Sequence, residues 1–269
     1  MTAILTAPTA VPARRGVSSP SSRLTAPPSS PASAEVQAAA AAGVVAADPE
    51  TLNRRAALAA YANDTAGCTN CRLAEGRTQV VFGIGDPNSD LMFVGEAPGF
   101  HEDQQGYPFV GRAGKLLDKL LQGIGLTREN VYIANVIKCR PPGNRDPQLD
   151  EIEACEAHLF RQIELIEPKL IGTLGNFATK LLSGKPHGIT RVHGRPQETT
   201  LGGRSVTLYP LYHPAAALYT PAMLRTLEDD FRRIPELIAE STAPPAQVIQ
   251  FPAAATQLSS TPVEQLGLF

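Results

Sequence analysis

Cys68 and Cys71 form a C-x2-C pair, and Cys139 and Cys155 follow with 15 residues between them. Thiolates are good ligands for zinc and for iron–sulfur clusters, and four suffice for either. Zinc more often uses two C-x2-C hooks; here there is one hook, and spacing alone leaves zinc and a cubane cluster open. A second group of residues stands where apolar runs stop. Gly95-Glu96-Ala97-Pro98-Gly99 follows one such run. Glycines there allow close backbone approach, and exposed N–H groups can donate to a ligand's carbonyl oxygens. Asn135 interrupts another run. A buried amide must satisfy donor and acceptor together, and it can pair with a C=O and an N–H side by side, the edge of a uracil-like ring. His213-Pro214 ends a third run, where an imidazole can face a developing anion. Phe109, in GYPFVG at 106–111, can be a stacking platform for a base. Each residue alone also has a plain structural reading: a tight turn, a structural amide or histidine, a core aromatic. Their shared location at the ends of apolar runs is what argues for a site.

The elements that must position them follow from periodicity. Buried strands are predicted at 90–95, 131–137, 169–174 and 206–212. Helices are predicted at 51–62, 112–123, 147–166, 176–183 and 222–239, the third with Asp146 as N-cap and Pro147 at its first position. Strands alternating with helices predict an α/β fold, a parallel sheet covered on both faces. In such sheets ligands bind beyond the carboxyl ends of the strands.

The chain has 269 residues and a formal net charge of −2, so bulk charge does not advertise nucleic acid. Residues 168–197 carry Lys169, Lys180, Lys185, Arg191 and Arg195 and no acid, and residues 138–145 add Lys138, Arg140 and Arg145. These are solvated faces or a local phosphate-binding face. Residues 1–34 hold six prolines, three arginines and no acid, and residues 241–269 hold four more prolines. Such ends cannot bury enough apolar surface to offset the entropy of ordering. The expectation is a disordered segment at 1–50, one domain at 51–240 and a flexible tail at 241–269. No run of 18 apolar residues exists, so no membrane span is expected. The cysteines do not read as a secreted disulfide scaffold, which predicts a cytoplasmic protein.

The ordered series of motifs resembles the family 4 uracil-DNA glycosylases, the iron–sulfur branch of the uracil-DNA glycosylase superfamily. It consists of C-x2-C at 68–71, GEAPGFHED at 95–103, GYPFVGRAG at 106–114, YIANVIKCRPPGNRDP at 132–147, Cys155 and YHPAAALY at 212–219. The resemblance implies a three-layer αβα sandwich with a four-stranded parallel central sheet, and a [4Fe–4S] cluster on Cys68, Cys71, Cys139 and Cys155. It implies that Glu96 and Ala97 line a uracil pocket, Phe109 stacks on the flipped base, Asn135 reads its edge and His213 faces O2. The resemblance also implies that Glu102 lies on the sugar side, to orient water or stabilise positive charge. Arg140 and Arg145 are expected on the DNA, with Leu218 as a wedge, and the protein is expected to be a monomer.

Two departures stand out. Tyr219 occupies a position where many relatives carry arginine. A related branch traps uracil-DNA covalently through a histidine in a basic insertion after the Asn strand; here that stretch reads KCRPPGNRDP, without histidine, which predicts turnover. A non-catalytic iron–sulfur protein that binds uracil-containing DNA is the alternative, opposed by intact Glu96, Asn135 and His213. A zinc-stabilised nucleotide-binding domain is a third reading. Finally, Gln265-Leu266-Gly267-Leu268-Phe269 resembles the short motif by which bacterial repair and replication proteins bind the sliding clamp. Leu266, Leu268 and Phe269 would fill an apolar pocket and Gln265 would hydrogen-bond at its rim.

Overall fold

The computed structural model describes residues 49–242. In chain order its helices are α1 (Pro49–Ala66), α2 (Leu73–Gly76), α3 (Phe100–Gln105), α4 (Arg112–Gly123), α5 (Leu149–Ile166), α6 (Asn176–Ser183), α7 (Ile189–Val192), α8 (Pro214–Ala217), α9 (Pro221–Arg232) and α10 (Ile234–Thr242). The strands are β1 (Ile84–Gly85), β2 (Leu91–Gly95), β3 (Tyr132–Asn135), β4 (Leu170–Leu174), β5 (Gln197–Leu201) and β6 (Arg204–Leu211).

The strands form one mixed six-stranded sheet in the order β1-β3-β2-β4-β6-β5, which corrects the expected four-stranded, all-parallel sheet. The inner pairs β3–β2, β2–β4 and β4–β6 are parallel, whereas β1 on β3 and β5 on β6 are antiparallel edges. Both edges escape a hydrophobicity reading for physical reasons. β1 has two residues, and the outer side chains of β5 are polar, as suits an edge. β5 and β6 join through Gly202-Gly203, both at positive φ (57° and 77°), the backbone that a tight hairpin demands.

Every residue of β2 and β4 is buried, as expected for strands covered on both faces. Met92, Val94, Ala134 and Ile171 pack on one face with Leu58 of α1, Leu159 and Ile163 of α5 and Leu182 of α6. Leu91, Phe93, Ile133 and Leu170 pack on the other with Leu117 and Leu121 of α4 and Leu227 and Phe231 of α9. The chain leaves β2 through α4 on one face and reaches β4 through α5 on the other, so a crevice opens beyond the end of β2.

Three helices differ from expectation. α5 begins at Leu149 with Gln148 as N-cap, because the Gln148 amide donates to Glu151 Oε2 at 2.9 Å and holds 146–148 extended. The helix predicted at 222–239 is two helices, broken at Arg233; Pro235 has no N–H to continue the ladder. The first helix starts at Pro49, inside the segment expected to be disordered. The calls on residues 1–48 and on the tail beyond residue 242, including Gln265, Leu266, Leu268 and Phe269, lie outside the described residues. Among the described residues no helix is long and apolar enough to cross a membrane.

Candidate active site

A cleft of about 440 Å³ opens at the carboxyl ends of β2, β3 and β6, and Glu96, Ala97, Glu102, Phe109, Asn135, Arg145 and His213 all line it. Residues up to 117 positions apart in the sequence thus meet on one wall system. Asn135 is the last residue of β3, pairs in register with Gly95 of β2 and is 3% exposed. Its backbone carbonyl accepts from Lys138 Nζ at 2.8 Å. Its side chain lines the cleft, where the donor and acceptor of the amide can both be met by an entering ligand.

Gly95 is what allows this arrangement. A Cβ there would stand 2.4 Å from Asn135 Oδ1 and 2.8 Å from Phe109 Cζ, so any side chain would displace both groups. Phe109 itself has φ of 55°, a left-handed conformation that costs a non-glycine residue free energy and is held only by its surroundings. Arg128 supplies the hold: its guanidinium donates to the carbonyl oxygens of Pro108 and Phe109 and pairs with Asp118. The Phe109 ring stacks on His213 with centroids 5.7 Å apart and planes at 27°.

His213 is the N-cap of α8, and its Nδ1 accepts the Ala215 amide at 3.1 Å. An acceptor nitrogen carries no proton, so the neutral ring holds its proton on Nε2. Burial lowers the His213 pKa to about 4, with the nearby Glu102 charge acting in the opposite sense. The imidazole is therefore a neutral donor at pH 7. Pro214 is the sequence signal for this short helix, because proline suits a first helical position; a histidine acting as its cap has no such signal.

Glu102 Oε1 accepts from the Val110 and Gly111 amides at 3.0 and 3.1 Å. One carboxylate thus ties α3 to the Phe109 loop and still lines the cleft. Glu96 follows β2 with its pKa raised, by burial first and by Asp146 second. The β2–β3 ladder runs on past the strand ends, through Val136 to Gly95 and Ile137 to Glu96 at 3.0 and 2.9 Å, which fixes Glu96 opposite the Asn135 loop.

The expected DNA-facing residues separate. Arg145 lines the cleft, but its guanidinium grips the fully buried Glu151 carboxylate at 2.6 and 2.8 Å, so its charge is matched locally and it braces the loop. Arg140 lies over the Phe100 ring at 5.1 Å and donates to Asn144 at 2.7 Å. Leu218 caps α8 and is partly buried. The basic stretch 168–197 contributes nothing to the cleft lining; Lys169 pairs with Asp90 at the opposite end of the strands.

The four cysteines line a second, narrow cavity together with Arg77, Lys138 and His158. None is in a disulfide. Cys68 and Cys71 lie in the turn between α1 and α2, Cys139 follows β3, and Cys155 is on α5. Hydrogen-bond donors face two sulfurs, the Lys138 amide to Cys155 at 3.3 Å and Arg77 to Cys139 at 3.5 Å, and His158 Nε2 lies 3.3 Å from Cys68 Sγ. His158 Nδ1 meets the Tyr61 hydroxyl at 2.7 Å. Burial raises the Cys139 thiol to about 11 and raises Cys155 as well. Among the described residues no three His, Cys, Asp or Glu side chains converge as ligands of a single ion. Sequence reasoning missed Arg77, His158 and Tyr61, whose spacing carries no motif, and it placed Lys138 on a solvated or phosphate-binding face, whereas Lys138 is buried with its Nζ held by Asn135 and Gln162.

Comparison with known proteins agrees with this arrangement. The family model of the uracil DNA glycosylase superfamily matches residues 82–235. A type-4 uracil-DNA glycosylase of Sulfurisphaera tokodaii is 49% identical over 175 residues, 63% of this chain and 80% of the relative. Those of Saccharolobus solfataricus and Archaeoglobus fulgidus are 46% and 47% identical, over 66% and 63% of this chain and 85% and 87% of the relatives.

Proposed function

The chain belongs to the uracil DNA glycosylase superfamily, among its type-4 members, and from that premise we propose how its own residues carry out the reaction. The protein is an enzyme that excises uracil from DNA, the first step of base excision repair. The observation that carries the residue assignments is the convergence of Asn135, 3% exposed, and His213 on one cleft.

Uracil inside a duplex is out of reach, so the nucleotide flips into the cleft at a cost of a few kcal/mol. Phe109 stacks on the base. The Asn135 amide pairs with O4 and N3–H, while Glu96 and Ala97 close the pocket around it. Cytosine exchanges donor and acceptor at those positions, which leaves buried groups unpaired and costs orders of magnitude in selectivity. The C1′–N1 bond then breaks with its electron pair moving onto uracil. His213 Nε2–H donates to O2, where the charge grows, and its neutral state keeps it a donor with no proton transfer required. The negative Glu102 faces the positive sugar and orients the water that adds to C1′; that water's proton is released as the uracil anion is later protonated.

The cysteine cavity suits a [4Fe–4S] cluster on Cys68, Cys71, Cys139 and Cys155. Its four thiols line one cavity, the ligand number that such a cluster takes, and N–H groups donate to two of the sulfurs. When bound, the cluster supplies a crosslink between the α1–α2 turn, the loop after β3 and α5. Arg140 and Leu218 are assigned to the DNA, with Arg145 bracing the loop between them and the cysteines. The unbridged cysteines fit a reducing cytoplasm.

Incubating the protein with an oligonucleotide that bears one deoxyuridine, followed by alkaline scission, tests the residue assignments. Wild type should cut at that position, and His213→Ala should not. Equal cutting by both would refute the role of His213. Residues 265–269 are assigned to a sliding clamp, with affinity near micromolar as an order of magnitude. Their deletion should abolish clamp binding in calorimetry and leave excision on a short oligonucleotide unchanged; undiminished clamp binding would refute this assignment.

A further inference from the structure

Tyr219 is 73% exposed, the most exposed large apolar side chain among the described residues. Its ring meets a guanidinium: Arg112 Nη1 donates to the Tyr219 hydroxyl at 3.0 Å, and Arg112 Cζ stands 5.3 Å over the ring centre. Arg112 is exposed and is the first residue of α4. A cation there faces the positive end of its own helix dipole and is disfavoured, so helix stability does not explain its place. Among the described residues it has no carboxylate partner, whereas Arg145 is tied to Glu151 and Arg128 to Asp118. Its neighbour Ala113 lines the cleft, as does Ala215 of α8, so the pair sits at the cleft edge on the β6 side. Arg140 over Phe100 marks the β3 side in the same way.

We propose that Arg112 and Tyr219 form a clamp on the DNA backbone beside the extruded nucleotide, with Arg112 taking a phosphate and Tyr219 holding that guanidinium in register. The proposal rests on the uracil-excision reading above. An arginine laid on an aromatic face keeps part of its N–H fork for an anion, and phosphate matches that fork in a way a lysine does not. With one nitrogen fixed by the tyrosine hydroxyl, less side-chain freedom is lost when DNA arrives.

The test is binding of the full-length protein to a duplex carrying 2′-fluoro-deoxyuridine, which resists excision, followed by anisotropy across a salt series. Excision of ordinary deoxyuridine DNA at saturating enzyme is measured in parallel. Arg112→Gln should weaken binding about tenfold at low salt and lower the slope of log K against log salt by about 0.9, one phosphate contact. Its excision rate at saturation should stay within about threefold of wild type. Tyr219→Ala should weaken binding by less, Tyr219→Phe by less again, and Arg112→Lys should restore binding only in part. An unchanged salt slope for Arg112→Gln overturns the proposal, as does a fall in the saturated rate with unaltered binding, which would make the pair a latch for the His213 loop. If wild type binds with the stated salt behaviour and excises nothing, the activity reading fails and the clamp survives.

Discussion

The segment after β3 serves two cavities that differ in kind. Asn135 opens the cleft, Cys139 enters the cysteine cavity four residues on, and Lys138 lies between them, fully buried. Lys138 reaches the Asn135 carbonyl with Nζ at 2.8 Å and Cys155 with its own amide at 3.3 Å. In the cleft Asn135 and His213 face an open space. In the cysteine cavity donors meet two sulfurs. On the reading proposed above, one cavity is prepared for a ligand that comes and goes and the other for a charge that stays. Damage to the first should therefore cost rate and spare the fold, and damage to the second should cost the fold.

The largest expected effect is in the cleft. His213→Ala and Asn135→Ala should each reduce single-turnover excision by about 10²–10³, the usual cost of one anion-stabilising donor. Their melting temperatures should stay within a few degrees of wild type, as circular dichroism would record. A variant that melts far lower would blur the contrast between the cavities.

Gly95→Ala tests whether the cleft depends on close backbone approach. The added methyl must displace Asn135 Oδ1 and Phe109 Cζ, and excision should fall by about 10²-fold, since misplacement by about 1 Å carries that penalty. A crystal structure should show the Phe109 ring shifted. Wild-type rates in this variant would mean that the base does not sit between those groups.

The opposite signature is expected at the cysteines. Cys155→Ala should lose iron, measured by metal analysis, and lower the melting temperature by roughly 5–10 °C, equivalent to a few kcal/mol for a domain of this size. Iron-free protein with unchanged stability would remove the distinction drawn above.

A smaller effect follows from the pKa of His213. Its folded value, about 4, lies below the ordinary 6.5. Between these values the unfolded chain takes up the proton and the folded one does not, so this residue's contribution to stability falls as pH drops through that window and is level above it. Denaturant titrations at pH 7 and 5 should show a smaller decline for His213→Gln than for wild type. The His213-dependent rate should be flat from pH 8 to about 5; an acid limb near 6.5 that vanishes in His213→Gln would contradict a neutral, buried donor.

The inner strands and most helices could be read from the sequence because their apolar periodicity is strong: α4 and α6 fall where periodicity places them. β1 and β5 could not, since two residues and a polar face carry little signal. The residues that line the cleft were legible by type, and most of them by their place at strand ends. What holds them was not. Arg128 behind Phe109, the Ala215 amide on His213 and Glu151 under Arg145 are contacts between ordinary residues that only the folded geometry brings together. Arg145 shows the consequence: its charge suggested a phosphate, and the fold gives it a buried carboxylate.

The most direct measurement compares wild type with Asn135→Asp on otherwise identical oligonucleotides bearing deoxyuridine, deoxycytidine or thymidine, scoring abasic sites by alkaline scission. Wild type should cleave only at uracil. Asn135→Asp should lose most of that activity and gain detectable scission at cytosine, whose amino group the new carboxylate can accept. A wild-type protein that leaves the uracil strand intact, or a variant with unaltered base preference, would contradict the assignment of this cleft.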